Sequence, residues 1–179
     1  DDIKAVEVGH EIDVLIEQLE PQPDKQDPAD RVPALEDTAV TRLGDRARGV
    51  AVVEPSITDT ELDRLDEIGF RGLRFTTLLK GGADVSGIFA MAERIKRLGW
   101  HIQMFIDAEN QLESLLPSLK KLPVDLVIDH MGHFQPEAGV DHPAFRAMLD
   151  LVRNGHCWVK LSGAYRASGD APAWQDMTA

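Results

Sequence analysis

The sequence has a single cysteine and no long apolar run. Cys157 stands alone among the 179 residues, so an internal disulfide bond is excluded. No apolar stretch approaches the roughly 18 residues that a membrane-spanning helix needs. The first residues, DDIKAVEVGHEIDV, show neither the positive start nor the continuous apolar core of a secretory signal. We therefore expect a soluble protein in the reducing cytoplasm.

Positive charge is also scarce in this chain. It contains 19 Lys and Arg residues against 31 Asp and Glu residues, which gives a formal net charge of −12. The resulting field repels polyanions and argues against nucleic acid or an anionic membrane as a partner. A small anionic substrate remains compatible with this charge, because a few arginines that converge in one pocket set the local potential there.

Several common catalytic and metal-binding motifs are missing from the sequence. It has no HxH, HExxH or CxxC, so residues close in sequence cannot complete a metal site. It has no GxSxG, and no glycine-rich phosphate loop follows an apolar run, which weakens a nucleotide-binding interpretation. Cys157 lies early in an apolar run and is better explained as a small core residue than as a nucleophile.

From Gly49 onward, short apolar runs alternate with amphipathic stretches, a pattern typical of parallel βαβ units. The spacing Thr58 to Glu61 predicts a capping box at the start of the first helix. We predict helices that begin near Thr58, Val85, Glu109 and Pro143, and strands at residues 49–53, 72–75, 101–107, 124–129 and 157–162.

Residues 1–40 do not follow the pattern of the rest of the sequence. Apolar residues are too frequent between Ile3 and Leu19 for a disordered tail, so we expect residues 1–20 to add a strand or helix at the edge of the sheet. The stretch PQPDKQDPADRVP indicates a loop or linker. We therefore divide the chain into an unassigned segment, 1–40, and a β/α domain, 41–179.

Polar residues stand at the C-terminal ends of several predicted strands: Arg74, Asp107, Asp129, His130 and Ser162. Alternation of strand and helix fits an open doubly wound sheet as well as a (β/α) barrel. The polar strand ends favour the barrel, because its parallel strands deliver their C-terminal ends to one rim where chemistry is built. We expect sequential strand order with helices on the outer face.

Two arginines and a histidine at this rim suit an anionic substrate. Arg74 can hold a carboxylate bidentately, although pairing with Asp107 or Asp129 is the structural alternative. His130 can ligate a metal, polarise a carbonyl or transfer a proton. Arg166 lies in the loop SGAYR after the last predicted strand, and that pentapeptide alone is weak evidence for a site.

The segments RGLRF, LVIDHMG and CWVKLSGAYR, in this order and spacing, resemble the amidohydrolase-related family of TIM-barrel hydrolases, most closely its 2-pyrone-4,6-dicarboxylate lactonase branch. The resemblance runs from about residue 43 to about residue 168. It implies a metal-dependent-hydrolase-like (β/α) barrel in which water opens a lactone. It also implies that His130 polarises the lactone carbonyl, that Arg74 and Arg166 bind substrate carboxylates, and that Lys80 takes the place of a further arginine.

Besides Lys80, the sequence departs from this family pattern at three places. The HxH of the family's first strand and the general-base aspartate of its last strand do not occur, which implies a barrel without those two strands. His133 stands where many relatives have arginine after DHMG.

The resemblance implies lactone hydrolysis without a cofactor or metal. One alternative is a zinc-dependent hydrolase or decarboxylase of the same superfamily, with His130 as a ligand. The other is a non-catalytic barrel fragment. Open barrel edges would also allow a homo-oligomer to form.

Overall fold

The computed structural model of the protein describes residues 12–15, 39–78, 87–170, 173 and 175–177. These contain one parallel sheet of six strands in the order of the chain. The strands are β1 (Ile12–Leu15), β2 (Ala47–Ala51), β3 (Phe70–Thr76), β4 (His101–Phe105), β5 (Leu126–Ile128) and β6 (Cys157–Val159). Sequential order was expected for a barrel and excludes the reversal of a doubly wound sheet.

Helices connect these strands. They are α1 (Ala39–Leu43), α2 (Asp59–Glu67), α3 (Ile88–Ile95), α4 (Ala108–Leu119), α5 (Pro143–Arg153) and α6 (Ala164–Ala167). The predicted capping box of α2 is confirmed, since the Thr58 hydroxyl accepts from the Glu61 amide and the Glu61 carboxylate accepts from the Thr58 amide. Within the described ranges, no helix has the length and apolar character needed to cross a membrane.

The N-terminal segment contributes to the sheet as predicted. Strand β1 pairs in parallel with β2, with Ile12 beside Ala47 and Leu15 beside Val50. The prediction of a strand or helix from residues 1–20 is therefore confirmed. The division of the chain between residues 40 and 41 stays a prediction.

The strands present two chemically different faces. Successive side chains of a strand alternate between faces, so the apolar positions of β3 to β6 share one face, where they pack with the helices. This core includes Leu73, Phe75, Ile102, Met104, Leu126, Ile128 and Cys157 from the strands and Leu62, Leu65, Met91, Ile95, Leu112, Met148 and Leu151 from the helices. The opposite face carries Arg74 and Thr76 of β3 and Gln103 and Phe105 of β4.

Close packing between β2 and β3 requires a glycine at position 49. A methyl group added at Gly49 would lie 2.7 Å from the Cδ1 atom of Phe70. Phe70 is 1% exposed, so its ring has little room to move away.

We predict that Gly49→Ala destabilises the protein by about 1–3 kcal/mol through overpacking. Chemical denaturation followed by circular dichroism measures this free energy of unfolding. Gly87→Ala is the matched control, because φ at Gly87 is −86° and a methyl group there meets no atom within 4 Å. Equal stability of the two variants would show that Phe70 does not constrain position 49.

Candidate active site

A buried carboxylate lies just after β5. Asp129 is 1% exposed, and three side chains surround it. Gln103 Nε2 lies 3.0 Å from both carboxylate oxygens, Arg74 Nη2 lies 2.8 Å from Oδ2, and Lys160 Nζ lies 3.5 Å from Oδ1. Lys160 Nζ also donates to Gln103 Oε1 at 3.3 Å. The buried charge is thus hydrogen-bonded and has countercharges, as its burial requires.

Strand register explains why these four side chains meet. Arg74 on β3 is the register partner of Gln103 on β4, whose partner on β5 is Val127. Asp129 comes two residues after Val127, and Lys160 comes two residues after Trp158, the partner of Val127 on β6. A spacing of two residues keeps side chains on the same face.

The predicted site residues lie around the ring of Phe105. Arg74 Cζ lies 4.7 Å and Arg166 Cζ lies 5.5 Å from its centroid. The imidazole rings of His130 and His133 meet it edge to face, at centroid distances of 5.7 Å and 4.6 Å. The structure therefore brings Arg74, His130 and Arg166 together, while their chemical roles stay predictions. Lys80 lies outside the described residues.

The structural alternative considered for Arg74 is also present, because its guanidinium is paired with Asp129. Arg166 differs from Arg74 in this respect. It is exposed, and none of the carboxylates in the described ranges forms an ion pair with it. One arginine of the site is thus fixed in the sheet, and the other is presented to solvent.

An unusual left-handed turn holds the two histidines. The φ angles of His130, Met131, Gly132 and His133 are 50°, 53°, 71° and 58°. Left-handed backbone costs roughly 1–2 kcal/mol for a residue with a side chain. Hydrogen bonds from the Met131 amide to the Lys160 carbonyl and from the Gly132 amide to the Asp129 carbonyl hold the turn in place.

His130 lies against residues 162 and 163, which directly precede α6, the helix that carries Arg166. Its Nδ1 atom is 3.0 Å from Ser162 Oγ, and a methyl group added at Gly163 would lie 2.8 Å from the imidazole. Burial lowers the pKa of His130, and nearby Arg166 lowers it further, against the opposing effect of Asp129. His130 is therefore neutral near pH 7.

Three residues of this cluster were missed by sequence reasoning: Gln103, Phe105 and Lys160. Gln103 and Lys160 carried a usable signal, because each is a polar residue inside an apolar strand run. Phe105 carried no signal that separates it from a core residue. Cys157 is confirmed as a core residue, since it is buried and burial raises the pKa of its thiol to about 12.

The residues described at this rim do not supply a three-ligand zinc site. In the parts of the chain that the structure covers, no group of three His, Cys, Asp or Glu side chains could hold a metal ion. The ring centroids of His130 and His133 are 5.5 Å apart, and Asp129 is engaged by Gln103, Arg74 and Lys160.

Comparison with known proteins identifies relatives of this chain. The family model described as Amidohydrolase matches residues 24–179. A 4-sulfomuconolactone hydrolase of Hydrogenophaga intermedia is 32% identical over 142 residues, which cover 78% of this chain and 46% of the relative. A 2-pyrone-4,6-dicarboxylate hydrolase of Comamonas testosteroni is 36% identical over 132 residues, covering 72% and 43%. The chain spans about half the length of these curated relatives.

A solved structure supports the same relationship. The crystal structure of a probable 2-pyrone-4,6-dicarboxylic acid hydrolase from Acinetobacter baumannii, with citric acid bound, has a TM-score of 0.63 and 28% identity. The likeness covers 78% of this chain and 54% of that one. The expected fold class, a (β/α) barrel, is thereby confirmed for the described strands.

We predict that Asp129→Asn lowers the free energy of unfolding by about 3–5 kcal/mol, because it leaves the cations of Arg74 and Lys160 without their buried countercharge. Urea denaturation at neutral pH measures the loss. Asp150→Asn is the control, since Asp150 forms an exposed pair with Arg153 and such pairs contribute about 0–1 kcal/mol. A loss of under 1 kcal/mol in Asp129→Asn would contradict a structural role for this carboxylate.

Proposed function

This chain belongs to the amidohydrolase family, and we propose that the protein opens the ester bond of a small carboxylated lactone, similar to 2-pyrone-4,6-dicarboxylate, by attack of water. The observation that carries the proposal is the grouping of Arg74, Arg166 and His130 around Phe105. Relatives named as hydrolases of sulfomuconolactone and pyrone dicarboxylate support it.

The charge of the cluster suits an anionic substrate. Arg74 and Lys160 surround the single carboxylate of Asp129, which leaves one net positive charge, and Arg166 adds a second. Two net positive charges match a dianion and would otherwise repel each other. Arg166, and the guanidinium nitrogens of Arg74 that do not contact Asp129, bind and orient the substrate carboxylates through charge-assisted hydrogen bonds. Lys80 remains a candidate for a further carboxylate contact.

His130 is assigned to the carbonyl of the lactone. When the Ser162 hydroxyl donates to Nδ1, the proton of the neutral imidazole is on Nε2. Nε2 can then donate a hydrogen bond to the carbonyl oxygen. Water adds to the carbonyl carbon, negative charge develops on that oxygen, and the hydrogen bond from His130 strengthens. When the tetrahedral intermediate collapses, the ester bond breaks, one proton of the added water passes to the ring oxygen, which leaves as a hydroxyl group, and the carbonyl carbon becomes that of a carboxylic acid.

We propose that this reaction needs no metal and no organic cofactor. The second candidate is a zinc-dependent hydrolase or decarboxylase with His130 as a ligand, favoured by the presence of two imidazoles, His130 and His133, at the rim. For that candidate, further ligands would be needed beside His130 and His133 to complete a zinc site. Removal of metal by a chelator separates the two, because activity that returns upon addition of zinc alone supports the second.

We also propose a cytoplasmic location and self-association. A cytoplasmic location is consistent with Cys157 as the single cysteine of the sequence. Strands β1 and β6 form the two edges of the described sheet, and unpaired edges favour contact with another strand. Self-association through these edges would produce a homo-oligomer.

For the catalytic assignment, we predict that His130→Asn lowers kcat by roughly 10²–10³-fold, the range for loss of one oxyanion donor, with a small change in KM. Asparagine tolerates the left-handed backbone of this position. Arg166→Met should instead raise KM by roughly ten- to a hundredfold, since it removes a charged hydrogen-bond donor. Ring opening of 2-pyrone-4,6-dicarboxylate, followed by absorbance, measures both.

Arg146→Met is the control for the arginine variant, because Arg146 lies on α5 and pairs with exposed Asp141. Its kinetics should match those of the unaltered protein. Unchanged turnover in His130→Asn would exclude the proposed role of the imidazole, and an unchanged KM in Arg166→Met would exclude a carboxylate contact.

For self-association, we predict a mass of at least two chains by multi-angle light scattering across a tenfold dilution. A charged residue on an edge strand disfavours pairing with another strand, so Val159→Lys on β6 should lower the mass. Trp158→Lys is the second variant, since Trp158 is 41% exposed and its replacement does not disturb the core. A monomer at all concentrations would reject self-association.

A further inference from the structure

The tautomer of His133 follows from one hydrogen bond. Its Nδ1 atom lies 3.2 Å from the backbone carbonyl oxygen of Ile106. A carbonyl oxygen accepts and cannot donate, so Nδ1 carries the proton in this bond. In the neutral ring, Nε2 is then an acceptor with an unshared electron pair.

This acceptor is unpaired. His133 Nε2 is shielded from solvent, and it has no hydrogen-bond partner among the residues that the structure describes. Unpaired buried polar atoms are rare in native proteins, because each gives up its hydrogen bonds to water without replacement. Where such an atom occurs, a functional partner is one of the explanations to be tested.

The backbone at His133 is unfavourable as well. Its φ angle of 58° lies in the left-handed region, and the preceding Gly132 has no room for a side chain, since an added methyl group would lie 2.8 Å from the Ala108 Cβ atom. Strained backbone of this kind persists where the surrounding structure enforces it and is concentrated at functional sites. Two independent unfavourable features thus coincide next to the cluster around Phe105.

We infer that His133 is a specificity-determining residue whose Nε2 accepts a hydrogen bond from a hydroxyl group of the substrate. The inference rests on the proposed function and narrows its substrate class to carboxylated lactones that also carry a hydroxyl group. The carboxylates of such a substrate are bound by Arg74 and Arg166, and its hydroxyl group is bound by His133.

The chemistry of the neutral imidazole supports this division of roles. Burial lowers the pKa of His133 and Arg166 lowers it further, although the hydrogen bond to Ile106 opposes the shift. A neutral acceptor repels a carboxylate oxygen and attracts an O–H donor, so His133 selects a hydroxyl where a cationic side chain would select an anion.

The position of the ring fits this role. It lies 4.6 Å from the Phe105 ring and 5.5 Å from the His130 ring, measured between centroids. A substrate held by the guanidiniums of Arg74 and Arg166, which both lie close to Phe105, is therefore near His133. Because Nε2 is shielded, binding must be accompanied by a side-chain movement that opens it. The hydrogen bond from the substrate hydroxyl group to Nε2 then forms in a place where water does not compete for this acceptor.

The test uses citrate and tricarballylate, which have the same three carboxylates and differ by one hydroxyl group. Isothermal titration calorimetry at pH 7.5 measures both affinities. We expect the unaltered protein to bind citrate about tenfold more tightly than tricarballylate, the contribution of roughly one hydrogen bond. His133→Phe keeps the ring and removes the acceptor, so it should bind tricarballylate normally and lose the preference for citrate.

His133→Asn is the second variant, because asparagine tolerates the left-handed backbone and its shorter side chain does not reach the position of Nε2. It should lose the preference as well, with the fold checked by circular dichroism. His156→Gln is the matched control, since His156 is exposed before β6 and lies beside Asp125; the preference should persist in it.

Equal binding of the two ligands by the unaltered protein would overturn the role of His133 and leave the anion site in place. A preference that persists in both His133 variants would overturn it too. If neither citrate nor tricarballylate binds, the anion site of the proposed function is rejected, and the inference about His133 is rejected with it.

Discussion

The Asp129 carboxylate lies out of reach of water at the end of β5, and a charge in that position persists where its neighbours supply hydrogen bonds and countercharge. Those neighbours come from three other places in the sheet: Arg74 from β3, Gln103 from β4 and Lys160 from just after β6. Satisfying one carboxylate therefore fixes four consecutive parts of the sheet relative to each other. The candidate catalytic residues at the C-terminal rim of the sheet are positioned by these fixed strands.

The Asp129 carboxylate also distinguishes the two arginines, because Arg74 is paired with it and Arg166 is not. Arg74 is held by an ion pair inside the sheet, so its direction is set before any substrate binds, and little entropy is lost when it forms a further hydrogen bond. Arg166 lies on the short helix α6 and is exposed to solvent. In the proposed function, one guanidinium is held in place by the sheet and the other is presented to solvent, and a fixed guanidinium suits a site that must place a carbonyl accurately against water.

The general plan of the fold could be predicted from the sequence because parallel strands that are buried on both faces appear as short, nearly continuous apolar runs. Residues 101–107 and 157–162, for example, were expected as strands, and the observed strands β4 and β6 lie within them. Arg74, His130 and Arg166 were found because each stands at or after a strand end. The pairing of Arg74 with Asp129 was expected as an alternative, but the full network with Gln103 and Lys160 was not, since that network depends on the register between strands, which the sequence of one strand does not specify. The left-handed turn was not predicted either, because residue types that tolerate positive φ, such as glycine and histidine, do not by themselves specify four such residues in a row.

The turn at residues 130–133 also restricts how this site can change over evolutionary time. Four consecutive left-handed residues exclude valine, isoleucine and threonine there, because branching at Cβ makes positive φ especially costly. Glycine, asparagine, aspartate and histidine are the residues that such backbone tolerates best. Changes in substrate preference through position 133 are therefore confined to a small set of side chains, several of which are uncharged hydrogen-bonding groups. Backbone geometry thus restricts the side chains available at position 133 before any selection by substrate acts.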